Sequence, residues 1–79
     1  MKVDIITPDT TLFSGDQVDL VQLPGIDGSF EILKDHAPLI SILKKGKIKL
    51  QGRGAPEQFF EINGGVIEVL SNKILILAE

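Results

Sequence analysis

Several residue types are missing or rare in this 79-residue chain: it has no cysteine, tryptophan or tyrosine, one histidine and four phenylalanines. Without cysteine there is no disulfide and no thiolate metal site, and a single histidine excludes a multi-histidine metal centre within one chain. Sites that bind by stacking usually present exposed aromatic rings, whereas we interpret the four phenylalanines as core residues. We therefore expect no metal, no cofactor and no small-molecule ligand.

The chain also lacks an excess of positive charge, a long apolar run and a targeting segment. Its 8 Lys and Arg and 11 Asp and Glu give a formal net charge of -3, whereas nucleic-acid and membrane-surface binders are usually basic. The longest apolar stretch, residues 74–78, is far too short to span a bilayer. The first residues include an early acid, Asp4, and no signal-peptide pattern. We expect one soluble, intracellular domain over residues 1–79 with no nucleic-acid partner.

What the chain does have is short alternating segments separated by glycine and proline. Eight glycines and four prolines leave few intervals long enough for a helix. Val18 and Leu20 alternate with polar residues, and so do Ile48 and Leu50, as in strands with one buried face. These segments predict an all-β fold, a small two-sheet antiparallel β-sandwich of about 8 to 10 short strands.

Two dipeptides predict hairpin turns. Asn63-Gly64 supplies two residues that tolerate positive φ, as a type I′ turn requires, and Lys45-Gly46 is a weaker form of the same signal. The last strand is apolar at each of residues 74–77. We expect that strand either to be covered on both faces or to cover a partner with one of them.

No motif in the chain predicts catalysis. It lacks the G-x-S-x-G, G-x-x-x-x-G-K and G-x-G-x-x-G patterns that present a nucleophile or cradle phosphates. Asp35 and His36 are neighbours, and neighbours on an extended segment point apart, which is poor geometry for a base and the residue that orients it. We expect no catalytic residue and interpret His36 as a structural or interface imidazole.

Residues 36–56 contain no acid and five cations, which are Lys44, Lys45, Lys47, Lys49 and Arg53. We interpret them either as a patch for an acidic partner or as a solvated hairpin whose lysines protect a sheet edge. An alternative is a lipoyl- or biotinyl-type carrier domain, modified at a hairpin lysine, Lys44 or Lys45. The context Lys44-Lys45-Gly46 differs from the Asp-Lys-Ala or Met-Lys-Met context that is usual in such carriers.

Two further segments have features of binding surfaces. A turn at Pro24-Gly25 and a second bend at Gly28 frame the apolar Ile26. This segment is either a protruding binding loop or a turn whose Ile26 folds back onto the core. In His36-Ala37-Pro38-Leu39 the proline holds the alanine extended, which gives a flat, low-entropy surface suited to packing against another protein.

Five segments spread over the chain combine into one pattern. They are Leu12-Phe13-Ser14-Gly15, Leu23-Pro24-Gly25-x-x-Gly28-x-Phe30-x-Ile32, His36-Ala37-Pro38-Leu39, Asn63-Gly64-Gly65-x-x-Glu68-Val69 and Ile74-Leu75-Ile76-Leu77-Ala78-Glu79. In order and spacing the pattern resembles the N-terminal β-sandwich domain of the epsilon subunit of F-type rotary ATP synthases. The resemblance implies a non-catalytic rotor subunit of the central stalk. Such a subunit links the gamma subunit to the membrane rotor ring of c subunits and couples ion flow to ATP synthesis.

The resemblance also implies two interfaces. The residues expected to face gamma are Thr7, His36, Ala37, Pro38, Leu39 and Ser41. The residues expected to meet the ring are Gly25, Ile26, Asp27, Gly28 and Ser29. Ser29 stands where many family members have an acid, and Asp27 and Glu31 are the acids nearby that would replace it. Lys34-Asp35 stands where the family usually has Pro-Gly, which adds charge at the expected gamma surface.

Most family members continue into a two-helix C-terminal domain that inhibits ATP hydrolysis and in some members binds ATP. This sequence stops at Glu79, so we expect no helical inhibitor and no ATP site; a natural short form and a cut at the domain boundary both stay open. The resemblance implies a peripheral membrane protein on the cytoplasmic face of the bacterial inner membrane, as part of the synthase. It leaves the coupling ion and the affinity for gamma open.

Overall fold

The computed structural model describes all 79 residues and consists of strands without any helix. The seven strands are β1 (Lys2–Ile6), β2 (Thr11–Gly15), β3 (Val18–Gly25), β4 (Gly28–Leu33), β5 (Leu39–Gly52), β6 (Gln58–Leu70) and β7 (Lys73–Ala78). They form one sheet in the order β2-β1-β7-β6-β5-β3-β4, in which only β1 and β7 pair in parallel. The structure offers no long apolar helix with which the chain would cross a membrane.

The sheet folds over on itself because β5 and β6 bend together. Core-facing side chains lie at odd positions of β5 up to Leu43 and at even positions from Ile48 onward. In β6 they change from even to odd between Ile62 and Ile67. We call this bend the corner. It consists of Lys44 and Lys45 in β5 and of Gly64 and Gly65 in β6.

The corner divides the sheet into two layers. The first layer contains β2, β1, β7, the second half of β6 and the first half of β5. The second layer contains the other halves of β6 and β5, followed by β3 and β4. Contacts close the two layers on each other: the rings of Phe13 and Phe60 lie 5.8 Å apart, and the amino group of Met1 donates to the carbonyl of Val18 at 2.7 Å. The predicted all-β sandwich is therefore confirmed.

Both predicted hairpin turns are wrong, because their residues lie inside continuous strands. Asn63-Gly64 belongs to β6 and Lys45-Gly46 to β5. Two long strands therefore replace four short ones, and the sheet has seven strands where about 8 to 10 were predicted. Glycine serves close packing here, since a Cβ on Gly65 would lie 2.4 Å from the carbonyl oxygen of Leu77 in β7.

The turn with two consecutive positive φ angles joins β6 to β7. Leu70 pairs with Lys73, and the two residues between them, Ser71 and Asn72, have φ angles of 51° and 61°. This is the backbone conformation of a type I′ turn, whose twist matches that of the two flanking strands. Serine is a weak signal for it, which is why the sequence pointed to the wrong dipeptide.

One hydrophobic core of 15 buried residues fills the space between the layers, and no polar or charged residue is buried. Phe13, Phe30 and Phe60 pack against this core, as predicted. The prediction is wrong for Phe59, whose side chain is 57% exposed. Successive residues of a strand point to opposite faces, so the core position of Phe60 places Phe59 on the outside of the second layer.

Candidate partner-binding surfaces

The outer side of the first layer is apolar over several strands. β7 buries Ile74 and Ile76 and leaves Leu77 51% exposed, so this chain does not cover its last strand on both faces. The outward neighbours of Leu77 on the adjacent strands are apolar as well. We call this surface the apolar face. It consists of Ile6, Ile40, Ile42, Val66, Leu70, Leu75 and Leu77.

The side chains of the apolar face are neighbours across the sheet. Ile42 pairs with Val66, Val66 with Leu77, and Leu77 with Ile6. At about 4.8 Å between strands, this row is about 14 Å wide. Ile40, two residues before Ile42 on the same side of β5, is 72% exposed. A contiguous apolar patch of this kind marks an interaction surface, whereas single exposed apolar residues are ordinary.

The apolar face is not among the predicted site residues. The predicted residues in β5 are Leu39 and Ser41, but both are half-buried and lie on the core side of the strand. The exposed neighbours Ile40 and Ile42 point outward instead. One signal was available in the sequence, namely the unbroken apolar composition of β7, which left open that this strand covers a partner.

Two reciprocal hydrogen bonds hold the connection between β4 and β5. The backbone N–H of Asp35 donates to Asn72 Oδ1 at 2.7 Å, and Asn72 Nδ2 donates to Asp35 Oδ1 at 2.9 Å. We call this pair the Asp35/Asn72 clamp. Asp35 has a φ of 65°, a left-handed conformation that aspartate tolerates better than most residues. The clamp ties the start of residues 36–38 to the β6–β7 turn.

His36, Ala37 and Pro38 are all exposed. The backbone N–H of His36 donates to the carbonyl of Leu33 at 3.2 Å. Nδ1 of His36 lies 2.7 Å from the carbonyl of Ala37; because a carbonyl only accepts, Nδ1 is the donor in this contact. Pro38 borders a shallow groove together with Ile40 and other residues of β5 and β6, so residues 36–38 adjoin the apolar face.

Thr7 lies at the other end of the first layer. Its Oγ1 donates to the carbonyl of Thr10 at 3.0 Å and accepts from the N–H of Thr10 at 3.1 Å. Thr7 borders a groove with Ile6 and Leu77, at the far edge of the apolar face. The structure therefore does not bring Thr7 against His36; the apolar face lies between them.

The loop between β3 and β4 projects from the domain as a braced turn. Gly25 pairs with Gly28, so Ile26 and Asp27 form a two-residue turn. The ring of Phe30 packs against Gly25 at the base of the loop, so closely that a Cβ on Gly25 would lie 2.7 Å from it. The N–H of Ile26 donates to the carbonyl of Ile42 at 3.1 Å, and its side chain is 58% exposed. Ile26 is therefore exposed at the tip of the turn and does not fold back onto the core.

The remaining loop residues are exposed and polar. Asp27 and Ser29 are both exposed, and so is Glu31, further along the edge strand β4. Gly25 pairs with Leu43 in β5, whereas residues 36–38 lie just before Leu39. At about 3.3 Å per residue these two points of β5 are about 13 Å apart. Residues 36–38 of the predicted gamma interface and the predicted ring loop therefore lie at different ends of the first half of β5.

The lysines of residues 44–49 lie on a strand and not on a hairpin tip. Lys44 and Lys45 are exposed at the corner, within continuous β5. Lys47 lies opposite Glu61, and Nζ of Lys49 lies 3.5 Å from a carboxylate oxygen of Glu57. The projecting tip required by the carrier-domain alternative is absent. The geometry favours the interpretation of solvated lysines, two of which face acids of the same chain.

No three His, Asp or Glu side chains lie together closely enough to hold a metal ion. The carboxylate of Asp35 accepts from Asn72 and makes no hydrogen bond with His36. The grooves of the structure are lined mainly by residues of its outer surfaces. What this arrangement offers is therefore contact area for other proteins: an apolar face, a rigid segment beside it and a braced loop.

Comparison with known proteins connects these surfaces to a family. The family model described as "ATP synthase, Delta/Epsilon chain, beta-sandwich domain" matches residues 1–79. The ATP synthase epsilon chain of Chlorobium limicola is 47% identical over 78 residues, which are 99% of this chain and 88% of that protein. The epsilon chain of Parvibaculum lavamentivorans is 40% identical over 79 residues, which are 100% of this chain and 59% of that protein.

Solved structures show the same fold. A chain of the Euglena gracilis mitochondrial ATP synthase superposes with a TM-score of 0.89 at 17% identity, covering 96% of this chain and 48% of its own. A chain of the Tetrahymena thermophila mitochondrial ATP synthase central stalk and c-ring structure superposes with a TM-score of 0.84 at 19% identity, covering 99% and 62%. With the family model matching every residue, the chain belongs to the β-sandwich domain family of ATP synthase delta and epsilon chains.

Proposed function

We propose that this chain is a non-catalytic rotor subunit of the central stalk of an F-type ATP synthase. It binds the gamma subunit through the first layer and the membrane ring of c subunits through the β3–β4 loop, and so couples ion flow to ATP synthesis. Family membership supports this proposal, as does the presence of a solved relative in a central stalk and c-ring assembly. The main structural observation in support of the proposal is the apolar face, which no other part of this chain covers.

The gamma interface is proposed to include Thr7, His36, Ala37 and Pro38. Leu39 and Ser41 lie on the core side of β5, so this strand would meet gamma through their outward neighbours Ile40 and Ile42. Thr7 and residues 36–38 lie at different ends of the first layer, so a partner that touches both also covers the apolar face between them. Covering a half-exposed Ile or Leu contributes about 1 kcal/mol, or roughly 7 kcal/mol for the seven residues. Association costs about 4 to 15 kcal/mol. The apolar face alone is therefore marginal, and the rigid contacts at its two ends must add to the affinity.

The ring interface is proposed to be the β3–β4 loop, with Gly25, Ile26, Asp27, Gly28 and Ser29. Three observations support it: the loop projects, it is braced by Phe30 and β5, and its tip combines an exposed apolar residue with an acid. Bracing matters because a preformed loop loses little conformational entropy on binding. Because position 29 is serine, the acids available to this surface are Asp27 in the loop and Glu31 on β4, and both are exposed.

The proposed location is the cytoplasmic face of the bacterial plasma membrane, as a peripheral part of the synthase. Its relatives in Chlorobium limicola and Caulobacter vibrioides, at 47% and 41% identity, are epsilon chains of bacterial ATP synthases and support this placement. Attachment to the membrane would be indirect, through the ring, because the chain's net charge of -3 does not favour direct contact with anionic lipids.

Calorimetric titration of the chain with purified gamma subunit tests the proposal, with Ile42→Lys and Phe59→Lys as a matched pair. Both side chains are 57% exposed, but Ile42 lies on the apolar face and Phe59 on the outside of the second layer. We expect saturable one-to-one binding that Ile42→Lys weakens by at least about 30-fold, since a buried unpaired ammonium costs about 2 kcal/mol or more. Phe59→Lys should bind like the wild type. Absence of wild-type binding, or equal losses in both variants, would contradict the proposal.

A further inference from the structure

Glu68 occupies the middle of the apolar face. Across the strands it pairs with Ile40 on β5 and with Leu75 on β7. Along β6 its neighbours on the same side are Val66 and Leu70. These four nearest outward neighbours are aliphatic, and Ile40, Val66 and Leu70 are 72%, 41% and 53% exposed. On its other side Glu68 borders a groove that also contains Lys2, Asp4 and Lys73.

The carboxylate of Glu68 has no partner within the chain. In the same cross-strand row, Asp4 accepts from Ser14 Oγ at 2.6 Å and lies 3.6 Å from Nζ of Lys2. The only other ion pair joins Lys49 and Glu57 in the second layer, and no side-chain hydrogen bond includes Glu68. The nearest cation along the sheet is Lys73, diagonal to Glu68, at about 7 to 8 Å between Cα positions. Asp4 is neutralised locally, whereas Glu68 is left to solvent.

A partner that covers the apolar face removes this solvent. A carboxylate has only acceptor oxygens, and burying it among aliphatic side chains without a cation carries a desolvation penalty that the aliphatic contacts would have to offset. If the partner carries a cation at this position, the ion pair with Glu68 increases the affinity. It also fixes the position of the partner on the apolar face.

We infer that the gamma surface covering the apolar face carries an arginine or lysine side chain that pairs with Glu68. This inference rests on the proposed function and deepens it by naming the chemistry of the partner: an apolar surface with one cation, placed between the positions that meet Ile40 and Leu75. Glu68 is then the residue of this chain that selects the register of the complex, while the aliphatic side chains beside it pack against the partner.

One substitution tests the inference, because the direction in which it changes the affinity for gamma depends on whether a cation faces Glu68. Glu68→Gln keeps the shape and removes the charge. If a cation faces Glu68, truncating a buried charge pair of this kind should weaken binding to purified gamma by about 30-fold or more. The affinity of the wild type should also fall more steeply with ionic strength than that of the variant. Glu61→Gln is the matched control, since Glu61 lies exposed on the same strand in the second layer, opposite Lys47, and should bind like the wild type.

Unchanged or tighter binding of Glu68→Gln would overturn the inference, because an apolar partner gains when an unpaired carboxylate is removed. The inference also fails if Glu68→Gln leaves gamma binding intact and makes the isolated chain self-associate in sedimentation, since Glu68 would then only keep the apolar face soluble. Unfolding midpoints of the three proteins should agree, which excludes a folding defect. Absence of wild-type binding would instead refute the proposed function, so the two failures are distinguishable.

Discussion

Replacing Asn72 by alanine should destabilise the chain, because it removes two side-chain hydrogen bonds and raises the cost of the backbone conformation. The side chain makes both hydrogen bonds of the Asp35/Asn72 clamp, at 2.7 and 2.9 Å. Its backbone has a φ of 61°, which asparagine adopts at lower cost than alanine. The carbonyl of Asn72 also accepts from the N–H of Lys2 at 3.0 Å, so the turn connects three parts of the chain.

The magnitude follows from these contacts. Two hydrogen bonds near the surface contribute about 0.5 to 1 kcal/mol each, at the lower end of the usual range. Holding alanine in the left-handed region adds about 1 kcal/mol relative to asparagine. We therefore expect Asn72→Ala to lower the free energy of unfolding by about 2 to 3 kcal/mol. In a domain of this size this corresponds to a fall of roughly 10 to 20 °C in Tm.

Urea denaturation of a small series separates the contributions. Asn72→Gly loses the hydrogen bonds but adopts the φ angle at no cost. Its free energy of unfolding should therefore be about 1 kcal/mol higher than that of Asn72→Ala. Asn72→Asp keeps the backbone tolerance but places a second carboxylate beside Asp35. The double variant Asp35→Asn with Asn72→Asp restores one amide and one carboxylate in exchanged positions and should recover most of the loss. Backbone order of residues 36–38 in NMR relaxation should follow the same ranking.

Two outcomes would refute this reasoning. One is an Asn72→Ala variant within about 0.5 kcal/mol of the wild type, the range of ordinary surface substitutions. The other is a double variant no more stable than Asn72→Asp alone, because the energy would then not come from the pairing. If the first outcome came with weaker gamma binding, the clamp would contribute to the complex and not to the stability of the free chain.

Two further predictions concern glycine at the corner and the loop tip. Gly65→Ala should lower the free energy of unfolding by more than about 2 kcal/mol in urea, because its φ is 154° and a Cβ would lie 2.4 Å from the carbonyl oxygen of Leu77. Gly54→Ala, with a φ of 69° and open space around the Cβ, should cost only about 1 kcal/mol; equal costs would show that the close approach of β7 is unimportant. Ile26→Ser should reduce co-purification with the detergent-solubilised ring and leave gamma affinity and the urea midpoint unchanged. A loss of gamma binding instead would mean that the loop belongs to the other interface.

The sequence alone was sufficient for the fold class, the family and part of the core. Alternation of apolar and polar residues assigns Val18, Ile48 and Leu50 to an inner face, and all three are buried. This works because the period of two along a strand is a local property of the backbone. Leu20, which alternation assigns with Val18, is only half-buried, because the pairing of β3 with β5 shifts between these two residues. The single histidine and the absence of phosphate-binding motifs can be read directly from the sequence. The same is true of the order and spacing of the segments that carry the family resemblance.

Tertiary structure decided what a local pattern leaves undetermined. Asn63-Gly64-Gly65 has the composition of a turn, but the approach of β7 to Gly65 makes it the corner of two long strands. The clamp joins residues 37 positions apart, a contact that no local signal predicts. Alternation also could not tell which outer faces stay uncovered: Ile42 and Phe59 are equally exposed, but only Ile42 has aliphatic neighbours on three adjacent strands. Such surfaces arise from strand order and register, which depend on long-range pairing.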